Sequence, residues 1–108
     1  MADVTIKPIT RLLVANRGEI ARRIFRTAHE MGIATVAVYA DGDANAPFVR
    51  EADMAIALRG TTSAETYLDI DKVLAACQEF GADAVHPGYG FLSENSSFAD
   101  AVISNGIT

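Results

Sequence analysis

The sequence predicts an α/β domain built on a doubly wound, all-parallel sheet. Short apolar runs alternate with segments of helical periodicity, and the connections between them are only a few residues long. Glycine, proline, aspartate or asparagine punctuates nearly every junction. At 108 residues, 50% hydrophobic and 21% charged, the chain has the size of one domain able to bury roughly two-thirds of its unfolded surface. That composition argues against disorder. No apolar run approaches about 18 residues, so no membrane-spanning helix is predicted.

Residues 1–10 read as an N-terminal extension and residues 11–108 as the domain. The first residues lack the basic, apolar and small-residue order of a secretory signal, and the expected localisation is cytoplasmic. Arg11–Ala15 is a short apolar run without polar alternation, as in a strand buried on both faces. Ile20, Ile24, Phe25, Ala28 and Met31 then form one apolar stripe of a helix, with Arg22, Arg23, Arg26, His29 and Glu30 turned largely outward. Asn16 and Glu19 have the spacing of a capping box, and Gly32 supplies the stop. Ala34–Tyr39 is the second strand, closed by Asp41-Gly42-Asp43. Pro47 opens a helical turn through Glu51, and Met54–Leu58 is the third strand. Asp69 caps a helix with the stripe Ile70, Val73, Leu74, Cys77 and Phe80, closed by Gly81. Asp83–His86 is the fourth strand, halted by Pro87-Gly88. A last helix runs from Asn95 or Ser96 to Asn105, and Ile107-Thr108 reads as the start of a further, truncated strand.

Right-handed crossovers and the common strand order 3-2-1-4 place a ligand crevice beyond the carboxyl ends of strands one and four. The loops leaving those strands, residues 16–19 and 86–95, are dense in glycine and polar groups. In the Gly88-Tyr89-Gly90 turn, two glycines free the backbone around a phenol that either meets a planar polar ligand or packs on the next helix. Ser93, Glu94 and Asn95 are all candidate caps of the last helix, and Glu94 has a second reading as a carboxylate that orients a cation brought from elsewhere. Gly18 suits an anion at a helix start, but Glu19 in the same turn repels phosphate and the glycines of a nucleotide fingerprint are missing. His86 and His29 have no cysteine or second histidine beside them, so no metal site is expected. Cys77 reads as a core thiol. No nucleophile, base and orienter set is present.

Formal net charge is −5, which argues against a nucleic-acid footprint. The charge is uneven: five arginines stand against Glu19 alone between Arg11 and Arg26. That stripe is either a contact face for a carboxylate-bearing partner or a solvated helix face.

Two segments together carry a specific resemblance. Residues 13–24, LVANRGEIARRI, and residues 86–95, HPGYGFLSEN, are similar to the opening of biotin carboxylase, as found in acyl-CoA, pyruvate and urea carboxylases. The likeness extends over nearly the whole chain from Arg11. It implies a Rossmann-like, pre-ATP-grasp domain of an enzyme that carboxylates biotin with ATP, Mg2+ and bicarbonate through carboxyphosphate. By that resemblance Tyr89 and Gly90 border the biotin ureido ring, and Glu94 supports an arginine from a later domain. Arg26 and Glu30 lie at a homodimer interface, and no catalytic or metal-binding residue falls in this chain. ATP and Mg2+ would be held mainly by further ATP-grasp domains. Partners would be those domains, a biotin carboxyl carrier and a carboxyltransferase, with no nucleic acid and no membrane; the 108 residues alone are expected to be inactive. Phe48 and Met54 depart from the family's usual histidine and acidic residue, which puts local surface chemistry in question. The rival readings are a dinucleotide-binding Rossmann module, with Asp41 as the ribose carboxylate, and an interaction domain using Arg22, Arg23 and Arg26.

Overall fold

The computed structural model describes residues 8–108. Residues 1–7 of the expected extension lie outside the described residues. Strands β1 (Arg11–Val14), β2 (Ala34–Tyr39), β3 (Met54–Ala57) and β4 (Ala84–His86) alternate with helices α1 (Gly18–Glu30), α2 (Pro47–Glu51), α3 (Ile70–Phe80) and α4 (Ser96–Ser104). A 3-10 turn at Asp41–Asp43 is additional to the predicted elements. All four strands are parallel in the order β3-β2-β1-β4, as the sequence predicts.

The side-chain period of two splits each inner strand between two cores. Leu13, Val36 and Val38 face a cluster closed by Val73 and Cys77 of α3 and Phe98 and Val102 of α4. Val14 and Ala37 face a smaller cluster with Ala21, Phe25 and Phe48. Helices α1 and α2 therefore cover one face, while α3 and α4 cover the other. The reversal of strand order between β3 and β4 sends the chain across to the second face. Phe25 and Phe48 are both 1% exposed, and each such burial contributes about 1.5–3 kcal/mol. The expected surface change at Phe48 is thus corrected: the ring is core. Met54 likewise packs against the larger cluster.

Caps read from the sequence hold at two helices. Asp69 accepts from the Lys72 N–H at 3.1 Å and Asn95 from the Phe98 N–H at 3.0 Å, which selects Asn95 among the three candidates at that end. The capping box at α1 does not form: Arg17 is the N-cap, without a side-chain cap bond, and Asn16 is directed elsewhere. Cys77 is 1% exposed, and burial pushes its thiol up to about 11, as befits a packing residue.

Beside β4, the Thr108 N–H donates to the Asp83 carbonyl at 3.0 Å and the Thr108 carbonyl accepts from Val85 at 2.9 Å. That is the start of another parallel ladder. At the amino end of the sheet, the Asp83 carboxylate accepts from the Thr10 N–H and hydroxyl and from the Arg11 N–H. Desolvation alone would raise its pKa, but these bonds outweigh it and hold the carboxyl below its ordinary value.

Candidate functional site

The carboxyl ends of β1 and β4 lie side by side, with Val14 paired to His86. The two loops singled out in the sequence therefore meet. What joins them is Asn16, 1% exposed. Its side-chain amide donates to the Pro87 carbonyl at 2.8 Å and the Tyr89 carbonyl at 2.7 Å, while its Oδ1 accepts from the Arg17 N–H at 2.8 Å. A buried amide satisfied on both its donor and acceptor sides is a rigid tie. The main chain adds a bond from the Ala15 N–H to the His86 carbonyl at 3.0 Å.

Gly88 makes this contact possible. Its φ is +65°, and a Cβ there would stand 2.7 Å from both Asn16 Nδ2 and Ile20 Cγ2. His86 braces the same turn, its Nδ1 accepting from the Gly88 N–H at 3.0 Å. That fixes the neutral ring in the tautomer with hydrogen on Nε2. Past the turn, Gly90 (φ +67°) and Phe91 (φ +47°) continue in the left-handed region.

The product of these constraints is a presented phenol. Tyr89 is 80% exposed although its carbonyl is gripped from beneath by Asn16. Of the two sequence readings, packing against the next helix does not occur. Gly90 and Glu94 are exposed on the same loop. A large aromatic side chain held out from a fixed backbone is suited to meeting a planar ligand or another protein surface.

Next to this turn, Arg17 forms a two-pronged pair with Asp43, Nε to Oδ2 at 2.7 Å and Nη2 to Oδ1 at 2.6 Å. The Tyr67 hydroxyl also donates to Asp43 Oδ2, at 2.6 Å, and accepts from the Ala40 N–H at 3.1 Å. The Arg17 bond, opposed by desolvation and reinforced by Tyr67, holds the Asp43 carboxyl below the ordinary range. Desolvation, with the Asp43 bond, pushes the Tyr67 phenol well above its ordinary value. A cavity of about 290 Å³ lies over this network, with Thr61, Thr66 and Phe91 in its lining. Asp41, the carboxylate of the dinucleotide reading, is exposed at the start of the 3-10 turn. The acid that lines the cavity, Asp43, is already engaged by arginine and tyrosine, so that reading gains no support.

The arginine stripe is mostly neutralised within the chain. Arg17 pairs with Asp43, Arg22 with Glu51 at 2.9 Å, and Arg23 with Glu19 at 3.5 Å. Arg22 and Arg23 of the interaction-domain reading thus carry exposed partners of their own. Arg26 and Glu30 are exposed one turn apart on α1, and Arg26 makes no ion pair among the described residues. His29 Nε2 lies 3.0 Å from Thr35 Oγ1 and 3.3 Å from Asp53 Oδ2, so it joins α1 to the sheet.

Spacing alone missed Asn16 as a tie, the Arg17–Asp43 pair and the Tyr67 anchor. The prior signal for the first was a polar residue directly following an apolar run.

Comparison with known proteins shows the family of the chain. The family model "Biotin carboxylase, N-terminal domain" matches residues 8–108. The chain is 56% identical over 107 residues to the alpha3 subunit of a biotin-dependent acyl-coenzyme A carboxylase of Mycobacterium leprae, covering 99% of this chain and 18% of that protein. Among solved structures, the Kluyveromyces lactis urea carboxylase superposes with a TM-score of 0.92 at 53% identity, over 94% of this chain and 9% of the other. The multifunctional pyruvate carboxylase of Rhizobium etli gives 0.89 at 47% identity, over 94% and 10%. The chain thus spans less than a fifth of each of these proteins. With its parallel sheet, its two tied loops and a match across all the described residues, the chain belongs to the family of biotin carboxylase N-terminal domains.

Proposed function

We propose that this chain forms one wall of the biotin site in a carboxylase that uses ATP and bicarbonate to carboxylate biotin. The observation that supports this most is the Tyr89 turn: a phenol held out over a backbone gripped by Asn16. A ureido ring is planar and carries N–H donors and a carbonyl acceptor. The Tyr89 ring offers it a face and a hydroxyl, and the exposed Gly90 backbone offers close approach without a side chain. Glu94, exposed on the same loop, would orient an arginine from another domain by a charge-assisted bond. Arg26 and Glu30 would meet their counterparts across a homodimer.

Nucleotide and metal do not fit the described residues. Glu19 occupies the first turn of α1, where it would repel a phosphate. Among the described residues there is no group of three or more His, Cys, Asp or Glu that could hold a metal ion. Those ligands would be held by further ATP-grasp domains, with a biotin carrier and a carboxyltransferase as the other partners. The 108-residue chain alone is therefore expected to show no bicarbonate-dependent ADP release in a coupled assay, and measurable turnover would contradict the division of labour.

The wall itself is tested in a full-length carboxylase carrying this chain. Tyr89→Ala is expected to raise KM for free biotin about tenfold, the equivalent of ~1.4 kcal/mol of lost contact, with KM for ATP unchanged. An unaltered biotin KM at normal turnover would remove Tyr89 from the site.

A further inference from the structure

The turn that presents Tyr89 has a second hold, separate from Asn16. Its residues Gly90 and Phe91 lie in the left-handed region at φ +67° and +47°. Phe91 is not glycine, so this stretch is strained and persists only where its surroundings enforce it. The Phe91 ring packs beside that of Tyr67. The two rings have centroids 5.2 Å apart at an interplanar angle of 37°, and Tyr67 is 2% exposed. The Tyr67 ring is itself fixed at its far end. Its hydroxyl donates to Asp43 at 2.6 Å and accepts from the Ala40 N–H at 3.1 Å, while Asp43 is locked by both prongs of Arg17. An aromatic ring with a tethered hydroxyl cannot slide or tilt as a free phenyl ring does.

We propose that Tyr67 is a positioning residue for biotin: through Phe91 it sets the Gly90-Phe91 backbone, and so the place of the Tyr89 phenol and the Gly90 main chain. This rests on the reading of Tyr89 and Gly90 as the biotin wall. Asp43 and Arg17 act one step further back, by holding the Tyr67 hydroxyl. The 290 Å³ cavity beside Tyr67 and Phe91 is the space into which the loosened rings would shift.

The test is kinetic, in a full-length biotin-dependent carboxylase carrying this chain as its N-terminal domain. Tyr67→Phe keeps the ring and removes the tether. It is expected to raise KM for free biotin about three- to tenfold, the range of a lost aromatic registration, with KM for ATP unchanged. Phe91→Leu leaves the Tyr67–Asp43 bond intact and removes the ring contact. It is expected to give the same selective change, and it carries the test if Tyr67→Phe does not fold. Tyr89→Ala is measured in parallel. If Tyr89→Ala weakens biotin use and neither other variant does, the positioning role is overturned while the wall stands. A parallel rise in both KM values for the Tyr67 and Phe91 variants would also overturn it, marking Tyr67 as a general packing residue. If Tyr89→Ala itself has no effect on biotin, the wall fails and the positioning role falls with it.

Discussion

Gly88→Ala is expected to lower the melting temperature of the chain by about 10–20 °C, corresponding to about 2–4 kcal/mol in a domain of this size. Two costs combine. The residue sits at φ +65°, which penalises any Cβ, and that Cβ would stand 2.7 Å from Asn16 Nδ2 and Ile20 Cγ2. Ile20 is on α1 and Asn16 is held by three hydrogen bonds, so neither neighbour can retreat without breaking something else. Gly90 supplies the control. Its φ is +67°, but a Cβ there meets nothing within 4 Å. Gly90→Ala should therefore lose only the backbone term, about 1 kcal/mol or roughly 5 °C. Thermal unfolding of the two variants side by side decides the matter. Equal losses would mean that crowding against Asn16 contributes nothing.

Asn16→Ala is expected to destabilise the chain by about 2–4 kcal/mol, because it removes a buried amide that satisfies the Pro87 and Tyr89 carbonyls and the Arg17 N–H. Asn16→Asp should cost more: it would aim a carboxylate oxygen where the amide donated to two carbonyls 2.8 and 2.7 Å away. Urea unfolding measures the loss, and amide exchange through residues 87–91 locates it. A cost below about 0.5 kcal/mol for Asn16→Ala, typical of a surface position, would show that the loop holds its shape without the tie.

The fold was legible because it depends on local patterns. Apolar runs, the Asp69 and Asn95 caps and short connections each report on a few neighbouring residues, and the handedness rule converts them into a strand order. The site was legible only in part. Asn16 followed by Glu19 is locally indistinguishable from a capping box. Which bond forms is settled by the closeness of Pro87 and Tyr89, over seventy positions away in the chain. The pairing of the arginine stripe was hidden for the same reason: a running charge count cannot see Asp43 and Glu51 arriving from other elements. Phe48 was misplaced because a five-residue helix is too short to display a face. The assignment of Tyr89 and Gly90 came from the likeness of two segments to a family, and no periodicity would have supplied it.

Asn16 and Arg17 are consecutive, and extended backbone sends neighbouring side chains to opposite sides. One therefore reaches the loop after β4 and the other the turn after β2. A parity is built into the three-residue step, residues 15–17, between strand and helix. Deleting or adding one residue there would turn the Asn16 amide away from the Pro87 and Tyr89 carbonyls and the Arg17 guanidinium away from Asp43, undoing both links at once. Loop length at this junction is thus a digital constraint, odd or even.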